Sequence, residues 1–196
     1  MSINMSDVTK LREMCGAGMM DCKKALEEAN TDFDKAVEIL RKKGAATAAK
    51  RAERDAKEGV IVSYIHNGRI GAMLELNSET DFVALNEDFK QLANDLVMHV
   101  AAAAPEYIKP EDVPADIVTK EREIEAALLE NSGKPAEVVE KILLGKIEKF
   151  YSRVCLTKQS YVKNPDITIE DLINEKTAAI GEKLVVRRFV RYELGK

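Results

Sequence analysis

A carboxylate and a phenyl ring stand side by side in Asn77-Ser78-Glu79-Thr80-Asp81-Phe82-Val83-Ala84-Leu85-Asn86. The stretch begins where a β-type run ends and stops where a strongly periodic helix begins. A ring beside a charge at a strand exit is either an anchor packed under the next helix or a wedge offered to a partner. Position alone favours the anchor. A second such place is Gly16-Ala17-Gly18-Met19-Met20, a flexible turn followed by two thioethers. One helix cannot bury both in the same direction, and an exposed Met is a soft, adaptable contact. Packing of both inside the protein is the equal alternative.

Catalytic chemistry finds little material. The three cysteines, Cys15, Cys22 and Cys155, are odd in number and spaced like no disulfide framework. His66 and His99 are the only histidines, so a zinc site lacks an adequate ligand set. There is no Gly-rich loop followed by Lys-Ser or Lys-Thr, and no Gly-x-Ser-x-Gly elbow. Gly16-Ala17-Gly18 has no strand before it and is very weak as a nucleotide fingerprint. No catalytic residue, metal or cofactor is expected, and the chain reads as a non-enzyme.

The elements that must position these two turns follow from periodicity. Three short helices are expected over residues 6–44. The first carries Val8, Leu11 and Cys15, the second Met19, Cys22, Leu26 and Ala29. The third carries Phe33, Ala36, Val37 and Leu40, capped by Asp32 and ended by Gly44. Ala45 to Lys57 reads as an exposed linker helix, with a domain boundary near residue 55. Two β-rich runs, Val60–His66 and Arg69–Asn77, flank Asn67-Gly68, the strongest short-range hairpin signal. Asn86 then caps a helix whose stripe is Phe89, Leu92, Ala93, Leu96, Val97 and Val100. His99 falls off this stripe and is expected to face solvent.

After an irregular stretch from Pro105 to Pro114, helices over 117–130 and 135–154 form an antiparallel hairpin jointed at Asn131-Ser132-Gly133-Lys134. A short β-prone run from Cys155 and a helix from Ile169 follow. The last strand, Leu184–Leu194, puts Leu184, Val186, Val190 and Tyr192 on one face and Arg187, Phe189 and Arg191 on the other. Its position leaves an edge able to pair with another chain. The expectation is an α+β chain. An N-terminal three-helix bundle and linker occupy residues 1–55, and a small antiparallel sheet covered by helices, with a helical hairpin, occupies 56–196.

Charge is unevenly spread. Residues 41–54 carry six basic residues against Glu53 alone, whereas 75–130 carry 14 acidic against 4 basic. The basic segment lacks aromatic residues for stacking and precedes a broad acidic region, so a solvated linker explains it better than direct nucleic-acid binding. No apolar run approaches the roughly 20 residues that span a bilayer. Met1 to Asp7 lacks the regions of a signal peptide, so a cytoplasmic location and no membrane are expected. A head, a charged spacer and a body with an open edge favour a protein that grips another protein.

Leu11-Arg12-Glu13-Met14-Cys15-Gly16-Ala17-Gly18-Met19-Met20-Asp21-Cys22-Lys23-Lys24-Ala25-Leu26 resembles the N-terminal motif of the elongation factor Ts family. Glu79-Thr80-Asp81-Phe82-Val83 resembles its second motif. Gly133-Lys134-Pro135 with Glu140-Lys141-Ile142, and Leu156-Thr157 with Gln159, are similar to later segments.

The resemblance implies a guanine-nucleotide exchange factor for elongation factor Tu, acting in protein biosynthesis. It would bind the GDP form and promote GDP release by disturbing the magnesium and phosphate site, so that GTP can load. It also implies a head similar to ubiquitin-associated domains, with Arg12, Met19 and Met20 in contact with the partner GTPase. Asp81 and Phe82 match the pair that reaches between the partner's helices. Thr80 and Val83 share that motif and are taken as contact residues too, while Val83 and Leu85 are expected to pack inward.

Longer family members carry a duplicated body, and this chain has room for about one copy. A short form can compensate by forming a homodimer, for which the edge Leu184–Leu194 is the candidate. A ubiquitin-binding module is the alternative of another class.

Overall fold

The computed structural model describes residues 3–129 and 135–196, so the joint read over 131–134 lies outside the described residues. Helices α1 (Met5–Cys15), α2 (Met19–Glu28) and α3 (Phe33–Arg51) open the chain. Asn4 caps α1 by accepting from the Ser6 amide, and Asp32 caps α3 by accepting from the Lys35 amide at 3.1 Å. Val8, Leu11, Cys22, Ala25, Leu26 and Ala36 meet in a shared core.

Gly44 does not end α3. The helix runs through it to Arg51 without a break, so head and linker are one element. A methyl group at Gly44 would sit 3.4 Å from the Asn174 carbonyl oxygen, leaving no room in that direction for a longer side chain. The glycine lies against the backbone of another helix at ordinary van der Waals distance and does not mark a helix end.

Strands β1 (Glu58–His66) and β2 (Ile70–Ser78) form the expected hairpin. Asn67 and Gly68 both take positive φ, 50° and 65°, as a type I′ turn demands. A single helical turn, α4 (Asp81–Ala84), leads into α5 (Glu87–Ala103), where the Asn86 side chain accepts from the Asp88 amide at 2.8 Å. Strand β5 is Val185–Glu193, and a three-stranded antiparallel sheet has the order β1-β2-β5.

The pairing of Leu76 with Val186 and of Glu75 with Arg188 leaves Arg187 unmatched, a β-bulge. Beyond it the expected faces of β5 exchange. Phe189 and Arg191 turn inward, where Arg191 donates to the Ala101 carbonyl of α5 at 3.0 Å, while Val190 and Tyr192 turn outward. Ala72, Leu74, Leu76 and Val186 are buried on the inner face. The outer face leaves Ile61, Ile65, Met73 and Tyr192 exposed, so helices cover one side of the sheet.

His99 is fully buried, contrary to the expectation from the stripe. Ala101 is buried with it, beside Leu96, Val97 and Val100, so the C-terminal half of α5 is enclosed on more than one side. Periodicity marks the main apolar face of a helix, not coverage of its flank.

By compactness, Met1–Ala101 together with Glu170–Lys196 form one unit and Ala102–Ile169 the other, a division different from the expected 1–55 and 56–196. The smaller unit holds α6 (Ala115–Leu129) and α7 (Ala136–Val154), joined by the ion pairs Glu125–Lys146 at 3.1 Å and Glu121–Arg153 at 3.4 Å. Val113, Phe150, Val154 and Cys155 form its core, and β3 (Ser160–Tyr161) and β4 (Asn164–Thr168) make a small hairpin. Helix α8 (Ile169–Ile180) follows. No helix among the described residues is long and apolar enough to cross a membrane.

Candidate functional site

The turn between α1 and α2 is built by glycine. Gly16 adopts φ +67°, and its N–H donates to the Arg12 carbonyl at 2.7 Å, closing α1 in the left-handed cap that favours this residue. Arg12 is exposed on α1. The two thioethers separate. Met19 is half-buried against the bundle core, whereas Met20 is 64% exposed.

Behind this turn lies Glu175 of α8, whose Oε1 would be 3.0 Å from a methyl group at Gly16. Burial pushes this carboxyl up to about 7, against the opposing pull of Lys176 and Arg41. Cys15 and Cys22 are buried nearby, donating to the carbonyls of Leu11 and Ala17 at 2.9 and 3.6 Å. Burial raises both thiols, Cys22 to about 12, so they stay protonated and act as small apolar side chains.

At the second turn, Phe82 is 80% exposed and Asp81 is exposed beside it, while Thr80 and Val83 are half-buried. Leu85 is 70% exposed, against the expectation that it packs inward. Residues 81–84 are helical rather than extended, so Ala84 takes the buried position. Phe82 and Leu85 are then three apart along a helical turn and share one side. Strand-like alternation misses this pairing; a helical reading one turn upstream of Asn86 would find it.

Glu79, immediately before, is largely buried and holds three donors. Oε1 accepts from Arg51 at 2.9 Å and from the Lys183 amide at 2.7 Å, and Oε2 accepts from Arg54 at 2.9 Å. Burial alone would raise its pKa, but the Lys183 amide and the Arg54 and Arg51 guanidinium groups outweigh it and hold the carboxyl at about 2. Both arginines belong to the basic segment read as a solvated linker. Arg51 in particular is directed at Glu79 and little exposed.

Among the described residues, no group of three or more His, Cys, Asp and Glu side chains could hold a metal ion. Fold and site together define an α+β protein that exposes apolar side chains, Met20, Phe82 and Leu85, on constrained turns. A sequence model of the family described as Elongation factor TS matches residues 6–196.

The chain is 59% identical to Elongation factor Ts of Carboxydothermus hydrogenoformans over 190 residues, covering 96% of this chain and 88% of that protein. It is 59% identical to Elongation factor Ts of Moorella thermoacetica over 195 residues, covering 99% and 96%. Against Elongation factor Ts of Fervidobacterium nodosum the identity is 55% over 197 residues, covering all of both chains. The chain belongs to the elongation factor Ts family and is thus a translation elongation factor.

Proposed function

We propose that the chain is the guanine-nucleotide exchange factor for elongation factor Tu, binding its GDP form in the cytoplasm and speeding GDP release so that GTP can be loaded. An exchange factor needs no acid, base or nucleophile, because it acts on a binding equilibrium. It must bind the nucleotide-free partner more tightly than the GDP-bound partner, and that difference is the coupling free energy. The observation that carries the reading is Phe82, an aromatic ring left 80% in water on the helical turn after β2, while Glu79 and Thr80 before it are tied down by hydrogen bonds. Such a ring is an anchor for a partner's apolar pocket.

In this reading Phe82 enters between elements of the GTPase, with Leu85 widening the apolar side. Asp81 supplies the polar contact that holds a displaced loop. Loosened magnesium and phosphate contacts then let GDP leave. Thr80 and Val83 flank the wedge, and Arg12, Met19 and Met20 make a separate contact with the GTPase. The functional division is the one at residue 55, a recognition head and an exchange-promoting body.

The test is Phe82→Ala in a stimulated GDP-release assay with elongation factor Tu·GDP. Release is expected to slow ten-fold or more, about 1.4 kcal/mol in the barrier, while complex formation persists. Unchanged release by the folded variant would remove the wedge.

A homodimer is the assembly we favour. Strand β5 is an edge of the sheet, and the outer face beside it exposes Ile61, Ile65, Met73 and Tyr192, more apolar surface than scattered single residues account for. A monomeric mass by light scattering at micromolar concentration would refute this assembly.

A further inference from the structure

The residue before the wedge has no freedom left. Thr80 is the N-cap of α4, with extended backbone at φ −127° and ψ 157°, yet its hydroxyl does not cap the helical turn. It donates instead to Glu182 Oε1 at 2.7 Å, and the Thr80 N–H donates to Glu182 Oε2 at 3.0 Å. The Thr80 carbonyl accepts from the Ser78 hydroxyl at 2.9 Å. All three polar groups of Thr80 are therefore engaged, two of them by both oxygens of one carboxylate 102 residues away in the chain. Hydrogen bonds to a charged acceptor are about twice as strong as neutral ones, and a bidentate pair also fixes orientation.

The residue after Glu182 completes a clamp. The Lys183 amide donates to Glu79 at 2.7 Å, and its ammonium donates to the carbonyls of Ala52 and Arg54 at 2.7 and 2.8 Å, just beyond α3. Residues 182 and 183 thus grip both the root of α4 and the end of α3. Nothing comparable is needed to hold the sheet: β2 and β5 pair along their length, and Leu74, Leu76 and Val186 are buried. The clamp instead lies on the two residues that precede Asp81 and Phe82.

We infer that Glu182 is a positioning residue for nucleotide exchange: it locks Thr80 so that Phe82 meets the GTPase on a turn that cannot recoil. This rests on the exchange-factor reading above. A wedge on a loose turn would swing aside when it met the partner, and its binding would distort the factor rather than the nucleotide site. Energy released on contact goes into displacing the partner only if the turn is stiffer than the elements it displaces. Glu182 touches neither GDP nor the reacting equilibrium; it acts through Phe82.

That dependence separates positioning from plain fold support. The full-length chain, Glu182→Gln, Phe82→Ala and the double variant are compared for release of fluorescent GDP from elongation factor Tu. Titration of the factor yields a maximal rate and a half-saturating concentration. Glu182→Gln leaves one oxygen to accept where two are needed. It is expected to lower the maximal rate about five-fold, with half-saturation within about two-fold of the unmodified chain. In the Phe82→Ala background the same change is expected to add nothing further.

An equal loss with and without Phe82, or a change in half-saturation alone, overturns the inference. If Phe82→Ala itself releases GDP at the unmodified rate, the exchange reading falls and takes this one with it. Should Glu182→Gln fail to fold by circular dichroism, Thr80→Val, which removes only the donating hydroxyl, carries the same comparison under the same criterion.

Discussion

The two motif turns are held by opposite means. The turn at residues 16–20 rests on an apolar three-helix core, a left-handed glycine and the Glu175 carboxyl, which burial raises to about 7, and it presents the flexible Met20 side chain. The turn at residues 79–83 is wired by hydrogen bonds to two carboxyl side chains, Glu79 and Glu182, and presents a rigid ring. A thioether with three rotatable bonds conforms to the surface it meets. A phenyl ring on a fixed turn makes the surface conform to it. The contrast fits a division of labour in which the head recognises and the body displaces.

The largest effect expected to test this contrast is on stability. Leu26 is fully buried in the head, so Leu26→Ala should destabilise that bundle by about 2–5 kcal/mol. Phe82→Ala should change stability by no more than about 0.5 kcal/mol, because the ring is already in water. Thermal or denaturant unfolding checks both, and a large cost at Phe82 would mean the ring supports the fold.

A smaller effect is expected at the head. Met20→Ala should weaken binding to elongation factor Tu by about 1 kcal/mol, roughly five-fold, and leave the maximal GDP-release rate unchanged. A fall in maximal rate would abolish the distinction between recognition and displacement.

A separate contrast lies in pH dependence, where the two regions should show opposite signs. Glu79 is lowered from 4.5 to about 2, so the unfolded chain binds its proton more readily. Its stabilisation is complete above pH 4.5 and is lost as pH falls toward 2. Glu175 is raised from 4.5 to about 7, so the folded chain holds that proton more tightly, and stability declines as pH rises from 4.5 through 7. In unfolding measured against pH, Glu79→Gln should flatten the acid limb and Glu175→Gln the neutral one. The same slope for both variants would contradict the assigned environments.

Much of the architecture was legible from short-range patterns. Asp32 and Asn86 cap the helices where expected, and Asn67-Gly68 makes the hairpin turn, because each of these preferences acts within a few residues. The exposure of Phe82 was not legible from its position, which favoured burial; the family resemblance reversed that reading. Leu85, expected to pack inward with Val83, is exposed because residues 81–84 form a helical turn in which Ala84 takes the buried position. Val186, expected to share a face with Val190 and Tyr192, does not, because the Arg187 bulge shifts the register of β5 by one residue, and a shift of one exchanges the faces.

By itself the sequence determined the order and kind of the main elements, the two motif turns and the family. Local backbone preferences and apolar periodicity are complete within a window of ten or so residues. Only the tertiary structure decided what holds those turns. Gly44 lies against α8 some 130 residues later, Arg51 and Arg54 turn from a basic run into ligands of Glu79, and Glu182 reaches Thr80 across 102 residues. Such contacts leave no periodic trace, because each is a single polar pair closed by the fold rather than a repeated choice along the chain.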